Sequence, residues 1–126
     1  MKRSTFYQCA TCKTIAIKVN DGGGEMSCCG EPMAVLEPNS TDAAGEKHVP
    51  VIERDGDAVT VKVGSVAHPM EEDHSIQWVY ITTEEGVLSK CLKPGEPPVA
   101  TFDLAGQTPL EAFEFCNKHG LWKAEF

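Results

Sequence analysis

The chain has 126 residues, with 11 Lys and Arg against 19 Asp and Glu for a formal net charge of −8, and it holds six Cys and four His. That length makes one domain or two small ones, and the acidic balance argues against nucleic acid or an anionic membrane as partner, because both need clustered basic side chains. No apolar run approaches the roughly 20 residues that span a bilayer, and Met1-Lys2-Arg3 leads into Ser4-Thr5-Phe6 rather than an apolar signal core, so the chain reads as soluble and cytoplasmic. In a reducing compartment, six Cys in so short a chain point to metal ligation before disulfides.

Residues 1–37 read as a small β module. Phe6-Tyr7 precedes Cys9; Ile15, Ile17 and Val19 alternate with polar or small residues; Asn20-Asp21-Gly22-Gly23-Gly24 supplies a turn. A piece this short buries too little apolar surface to offset its chain entropy and needs a staple. Glu37-Pro38-Asn39-Ser40-Thr41-Asp42 is polar and aperiodic and reads as a linker, which sets a second module at 38–126.

Beyond it, Val49, Val51 and Val59, Val61, Val63 alternate around Arg54-Asp55-Gly56-Asp57, the pattern of a β-hairpin whose turn needs a positive φ. Ile76–Thr82, Val87–Leu92, Val99–Phe102 and Leu121–Phe126 read as further strands, and short strands between Gly and Pro turns point to a sandwich, so the fold class is all-β. Thr108-Pro109-Leu110-Glu111 fits a helix-capping box, yet Glu111–Phe115 reads equally well as extended chain.

Cys9-Ala10-Thr11-Cys12 followed by Cys28-Cys29-Gly30 matches the paired-cysteine spacing of a tetrahedral sulfur site. Adjacent residues of a regular strand face opposite ways, so Cys28 and Cys29 share a metal only where the chain bends sharply, and Gly30 suits such a bend. The competing readings are structural zinc and a vicinal Cys28–Cys29 disulfide; spacing does not choose iron over zinc.

The four His lie in the second module, and a lone His is more often a surface or hydrogen-bonded residue than a ligand. The exception is Cys116-Asn117-Lys118-His119-Gly120, a thiolate and an imidazole three residues apart, which fits a metal site, a Cys–His nucleophilic pair or a plain strand end.

The order Cys-x-x-Cys, Cys-Cys, Glu46-Lys47-His48-Val49-Pro50, Ala67-His68-Pro69-Met70, His74 and Cys116-Asn117-Lys118-His119-Gly120-Leu121-Trp122 resembles desulfoferrodoxin, the two-iron superoxide reductase family, over nearly the whole chain. The resemblance implies a small desulforedoxin- or rubredoxin-like N-terminal domain with iron on Cys9, Cys12, Cys28 and Cys29. It implies next an immunoglobulin-like β-sandwich with a catalytic iron on His48, His68, His74 and His119 as equatorial ligands and Cys116 as axial thiolate, the sixth position facing solvent. It also implies a strand before Cys116, a homodimer, reduction of superoxide to hydrogen peroxide, and electrons from a reduced donor such as rubredoxin. Cys91 has no place in the pattern and reads as an ordinary small strand residue.

These residues suit that chemistry. Neutral imidazoles leave the cation's charge available to attract an anion, and a thiolate opposite the open position pushes electron density toward bound oxygen. Backbone N–H groups of Lys118 and His119 are placed to tune that push, and Glu114 would share the strand face of Cys116. Pro50 and Pro69 stiffen the ligand loops. A chain at −8 repels superoxide at long range, which makes Lys47 the local attractor: at about 5 Å one opposite charge is worth about 1 kcal/mol in water and about 3 kcal/mol at an effective dielectric near 20. Glu46 resembles the family carboxylate that takes the sixth position after product leaves. The rival reading is a non-enzymatic electron-transfer or metal-binding module with a structural four-cysteine site; convergence of the four His with Cys116 separates the two.

Overall fold

The computed structural model describes residues 5–41 and 45–126. The chain divides into two compact units, Met1–Glu37 and Pro38–Phe126.

The first unit contains β1 (Phe6–Gln8), β2 (Ile15–Ile17), β3 (Ser27–Cys28), β4 (Glu31–Pro32) and β5 (Ala34–Val35). β1 lies between β2 and β5 in one antiparallel sheet, and β3 pairs with β4 in a second. The alternation read through Val19 is paired only as far as Ile17, opposite Phe6, among the described residues. Val19 is accordingly 95% exposed. Among the described residues of this unit only Phe6 and Cys9 belong to the buried apolar set, which is too little for an apolar core to carry the fold.

The second unit opens on one helical turn, α1 (Gly45–His48), and continues through β6 (Pro50–Asp55), β7 (Ala58–Val63), β8 (Ile76–Thr83), β9 (Val87–Cys91), β10 (Val99–Asp103), β11 (Pro109–Cys116) and β12 (Gly120–Glu125). The strands form two antiparallel sheets, ordered β10-β7-β6 and β12-β11-β8-β9. Val59, Val61, Val63 and Ala100 from the first sheet and Ile76, Val79, Ile81, Ala112 and Cys116 from the second make one buried cluster, the core of a β-sandwich. The hairpin read around Asp55-Gly56 closes β6 on β7 with Asp55 opposite Ala58, and Gly56 takes φ +60°.

The segment from Thr108 is a strand, not a helix. β11 pairs on both sides, with β8 and with β12, and as a strand it sends Ala112, Glu114 and Cys116 to one face, where Ala112 and Cys116 join the core. Two ladders of hydrogen bonds and that buried face outweigh a local capping preference. A register shift between Phe115 and Cys116 sets Ile76 opposite Cys116 while Trp78 faces Phe115. The extra residue brings Ile76, of opposite parity to Val79 and Ile81, onto the same core face.

Part of the sequence read as linker is tied to the second unit. Asn39 N donates to Leu121 O at 3.0 Å, and the Asn39 side chain exchanges two hydrogen bonds with the Lys123 backbone, from Nδ2 to O at 3.2 Å and from Lys123 N to Oδ1 at 2.8 Å. Asp42 lies outside the described residues. Among the described residues no helix is long and apolar enough to cross a membrane.

Candidate metal centres

Cys9, Cys12, Cys28 and Cys29 bring their sulfur atoms together in the first unit. Lys13 N donates to Cys9 O at 3.0 Å and Cys12 N to the Cys9 sulfur at 3.4 Å, so the Cys-x-x-Cys turn directs a backbone dipole at a thiolate. The sharp bend needed by the adjacent pair falls on Cys29 at φ +54° and Gly30 at φ +77°. A left-handed residue rotates Cys29 off the strand alternation and lets both sulfurs point inward.

The sulfurs of Cys12 and Cys28 stand 3.6 Å apart and those of Cys28 and Cys29 3.9 Å. Four thiolates about one ion at bonds of about 2.3 Å give tetrahedral edges of about 3.8 Å, so the spacing fits a bound iron or zinc. All six Cys are free thiols, and the vicinal disulfide is not formed. The Thr14 hydroxyl, 3.1 Å from the Cys12 sulfur, and the Thr14 backbone bring the Cys12 thiol down to about 6. Hydrogen bonding among the clustered thiols pushes Cys28 up to about 12. Four thiols at this separation do not all ionise unaided; a cation is what makes four thiolates compatible.

In the second unit His48, His68, His74, Cys116 and His119 converge, with one ligand atom from each within 4.8 Å of the others. Five separate loops and ends deliver them. His48 closes α1, His68 follows β7, His74 sits in the turn before β8, Cys116 ends β11 and His119 lies in the turn to β12. His48 and His68 are 2% and 3% exposed, and Cys116 is fully buried.

The imidazoles form a closed ring. Centroids are 4.6 Å apart for His48 and His68, 4.8 Å for His68 and His74, 5.0 Å for His74 and His119 and 4.8 Å for His119 and His48, with interplanar angles of 74° to 88°. His48 Nε2 lies 3.1 Å from His68 Nε2 and 3.0 Å from His119 Nδ1. Two nitrogens at right angles about one ion with bonds of about 2.1 Å stand about 3.0 Å apart, so the ring has the dimensions of an equatorial ligand plane. His74 Nε2 is buried and has no hydrogen-bond partner among the described residues, as a metal-ligating nitrogen should be. Cys116, whose sulfur is 3.9 Å from His119 Nδ1, adds a fifth donor to the four imidazoles.

The surroundings orient these donors. His68 Nδ1 meets Pro69 O at 2.7 Å; an N–H there leaves Nε2 as the bare lone pair. Burial, opposed only in part by that bond, holds the His68 imidazole down at about 4, hence neutral at physiological pH. Burial lowers His74 too, with help from His119 and Lys118. The Cys116 thiol is pushed up by burial, while backbone N–H groups of Lys118 and His119 hydrogen-bond its sulfur and pull the other way. Trp122 stacks on His48 with centroids 4.9 Å apart and donates Nε1–H to His119 O at 3.0 Å, so one indole supports two neighbouring ligands.

Glu46 and Lys47 share the turn that ends in His48, and both are exposed. Neither belongs to the converging set, and neither makes an ion pair among the described residues. Cys91 is exposed on β9 and belongs to neither ligand group. Gly64 escaped sequence reasoning. At φ +78° it lies so close to the α1 backbone that a Cβ there would stand 2.6 Å from Lys47 C and 2.7 Å from Lys47 Cα and would overlap Glu46 O. Val66 N donates to the same Glu46 oxygen at 2.9 Å. Its only sequence signal was a Gly directly after a strand, four residues before a candidate ligand.

The fold and the two donor sets define a metalloprotein with a four-thiolate site in a small β unit and a four-imidazole, one-thiolate site at one end of a β-sandwich. The desulfoferrodoxin family profile matches residues 40–125, and that of the desulfoferrodoxin N-terminal domain matches residues 2–36. The desulfoferrodoxin of Syntrophotalea carbinolica is 50% identical over 119 residues, 94% of each chain, and that of Desulfarculus baarsii 46% identical over 124 residues, 98% of each. The crystal structure of the superoxide reductase from Treponema pallidum superposes with a TM-score of 0.81 at 39% identity, covering 98% of this chain and 99% of that one. The chain belongs to the desulfoferrodoxin family.

Proposed function

We infer that the chain is a superoxide reductase, with one iron on the four thiolates and a second, catalytic iron on His48, His68, His74, His119 and Cys116. The observation that carries this is the closed imidazole ring with the buried Cys116 sulfur beside it, in a chain of this family. Superoxide takes up one electron and two protons and leaves as hydrogen peroxide. An iron held by these five residues would supply the electron and a place for the anion to bind.

The chain's own groups do the rest. Imidazole ligands would leave a bound cation's charge uncompensated, and burial keeps His68 neutral throughout the physiological range. The Cys116 thiolate would donate electron density to a bound iron, and the Lys118 and His119 N–H groups on its sulfur would temper that donation. Lys47, exposed and unpaired among the described residues, attracts the anion against the repulsion of a chain at −8 and orders a water that passes on a proton. Glu46, one residue earlier on that turn, would be the carboxylate that replaces the product on a bound iron. Electrons come from a small reduced donor such as rubredoxin, and the protein works as a cytoplasmic homodimer.

The test is iron-loaded protein mixed with superoxide. Two irons per chain and one peroxide per superoxide consumed, with no dioxygen released, are expected. A second unit that takes up no iron, or release of dioxygen in half the yield of superoxide consumed, overturns the reading.

A further inference from the structure

His74 is only half-buried, unlike His48 and His68. It sits in a tight turn closed by Glu71 N to His74 O at 2.9 Å and His74 N to Glu71 O at 3.2 Å, and Glu71, Glu72 and Asp73 of that turn are all exposed. Such a turn has no buried side chain of its own to hold it in register. Its anchor is Asn117. Asn117 Nδ2 donates to Asp73 O at 2.9 Å, Ser75 N donates to Asn117 Oδ1 at 3.0 Å, and Asn117 N donates to Ser75 O at 3.3 Å. One residue therefore grips the backbone immediately before and immediately after His74, and that residue is the neighbour of Cys116. The Lys118–Asp73 pair at 3.9 Å spans the same gap but is exposed at both ends and adds little.

We propose that Asn117 is a positioning residue that locks the equatorial ligand His74 to the axial ligand Cys116, so that the fourth imidazole stays on the metal. The amide is suited to this as few side chains are. It offers a donor and an acceptor on one rigid plane, to a carbonyl and an N–H two residues apart. A carboxylate lacks the donor, and a hydroxyl cannot reach both. His74 Nε2 depends on this grip, because the buried, unpartnered nitrogen must be aimed and its turn adds only two backbone hydrogen bonds and an exposed ion pair.

The proposal rests on the reading of this cluster as an iron site, and the experiment separates the two. Iron-loaded wild-type protein, Asn117→Ala and Asn39→Ala are compared for the rate of iron release to a chelator, the thiolate-to-iron charge-transfer band and the thermal midpoint. The zinc-loaded forms are compared for the ring nitrogen resonances of each His. Asn39 is the control because its side chain makes the same donor and acceptor pair of bonds, to Lys123, in the same unit. Loss of a group that orients a metal ligand typically weakens metal binding 10- to 100-fold, so Asn117→Ala should release iron about tenfold faster or more, with a moved charge-transfer band and a displaced His74 resonance. Asn39→Ala should match wild type in all three. Equal release from all three proteins overturns the proposal, and so does equal acceleration in both variants, since that is general loss of stability. A wild-type protein that takes up no second iron overturns the site reading itself. Should Asn117→Ala not fold, Asn117→Asp keeps the acceptor for Ser75 N–H and loses the donor to Asp73 O. Faster release than wild type then supports the proposal, and wild-type release overturns it.

Discussion

His48 Nε2 and His119 Nδ1, from residues 71 positions apart, face each other at 3.0 Å with ring planes at 88°. Each ring also has another imidazole beside it, so the four bases crowd nitrogen lone pairs into one small space, an arrangement that a cation relieves. The second unit should therefore be more stable with its metal than without. Stripping the metal with a chelator should lower the thermal midpoint, and restoring a divalent ion to about 100 times its dissociation constant should return about 2.7 kcal/mol. His119→Ala should remove most of that gain and the thiolate charge-transfer band. A thermal midpoint indifferent to metal would sink this account of the ring.

Gly64 should tolerate no side chain. Its φ of +78° disfavours an L residue, and a Cβ would press on the peptide that links Lys47 to His48. Backbone crowds it from the far side, so the strain is not relieved by a side-chain rotation. Gly64→Ala should cost about 1–3 kcal/mol of stability. It should also lower kcat/KM for superoxide by moving the turn that carries Lys47 and His48, as read by pulse radiolysis on the iron-loaded variant.

Glu114 is fully buried, and neither carboxyl oxygen has a hydrogen-bond partner among the described residues. Burial pushes its carboxyl up to about 9 from an ordinary 4.5, so it stays protonated in the folded chain at neutral pH. A folded value above the unfolded one means that the folded chain holds the extra proton, and stability falls as pH rises from about 4.5 toward about 9. Glu114→Gln keeps the shape and removes the proton. The variant should equal wild type in stability near pH 4.5 and gain on it steadily, by about 3 kcal/mol at pH 7, in denaturant titrations of the metal-loaded proteins. A stability difference independent of pH would show that the carboxyl does not titrate in this window.

Lys47→Ala should slow the bimolecular reaction with superoxide severalfold at low ionic strength, and the difference should shrink as salt is added, since a Debye length of about 10 Å at 0.1 M screens an exposed charge. The charge-transfer band should stay where it is, because Lys47 is not a ligand. Rates equal to wild type at both low and high salt would remove Lys47 from substrate capture.

Most of the strands were legible because each carries its own period-two pattern and turn residues, as Val59, Val61 and Val63 do on β7 and Gly56 does at the hairpin. The segment before Cys116 was not. Thr108-Pro109-Leu110-Glu111 holds a real local helix signal, and the strand wins through pairing with β8 and β12, which no window of residues contains. The bulge beside Gln77 is similar: residues 76, 79 and 81 read as a break in alternation, and only the register against Phe115 and Cys116 turns it into a continuous core face.

The sequence by itself determined the donors: four thiols in a paired spacing, and four His with Cys116 in an order that resembles a known family, because ligand identity is a property of side chains. Tertiary structure alone decided how they meet. The right angles between the imidazoles, the positive φ at Cys29, the indole beneath His48, the grip of Asn117 on both sides of His74 and the close approach of Gly64 to Lys47 all join residues distant in the chain or depend on backbone angles. The length, the charge of −8 and the cysteine count limit what the chain can bind; the closure of two sheets over one core sets where the four His and Cys116 meet.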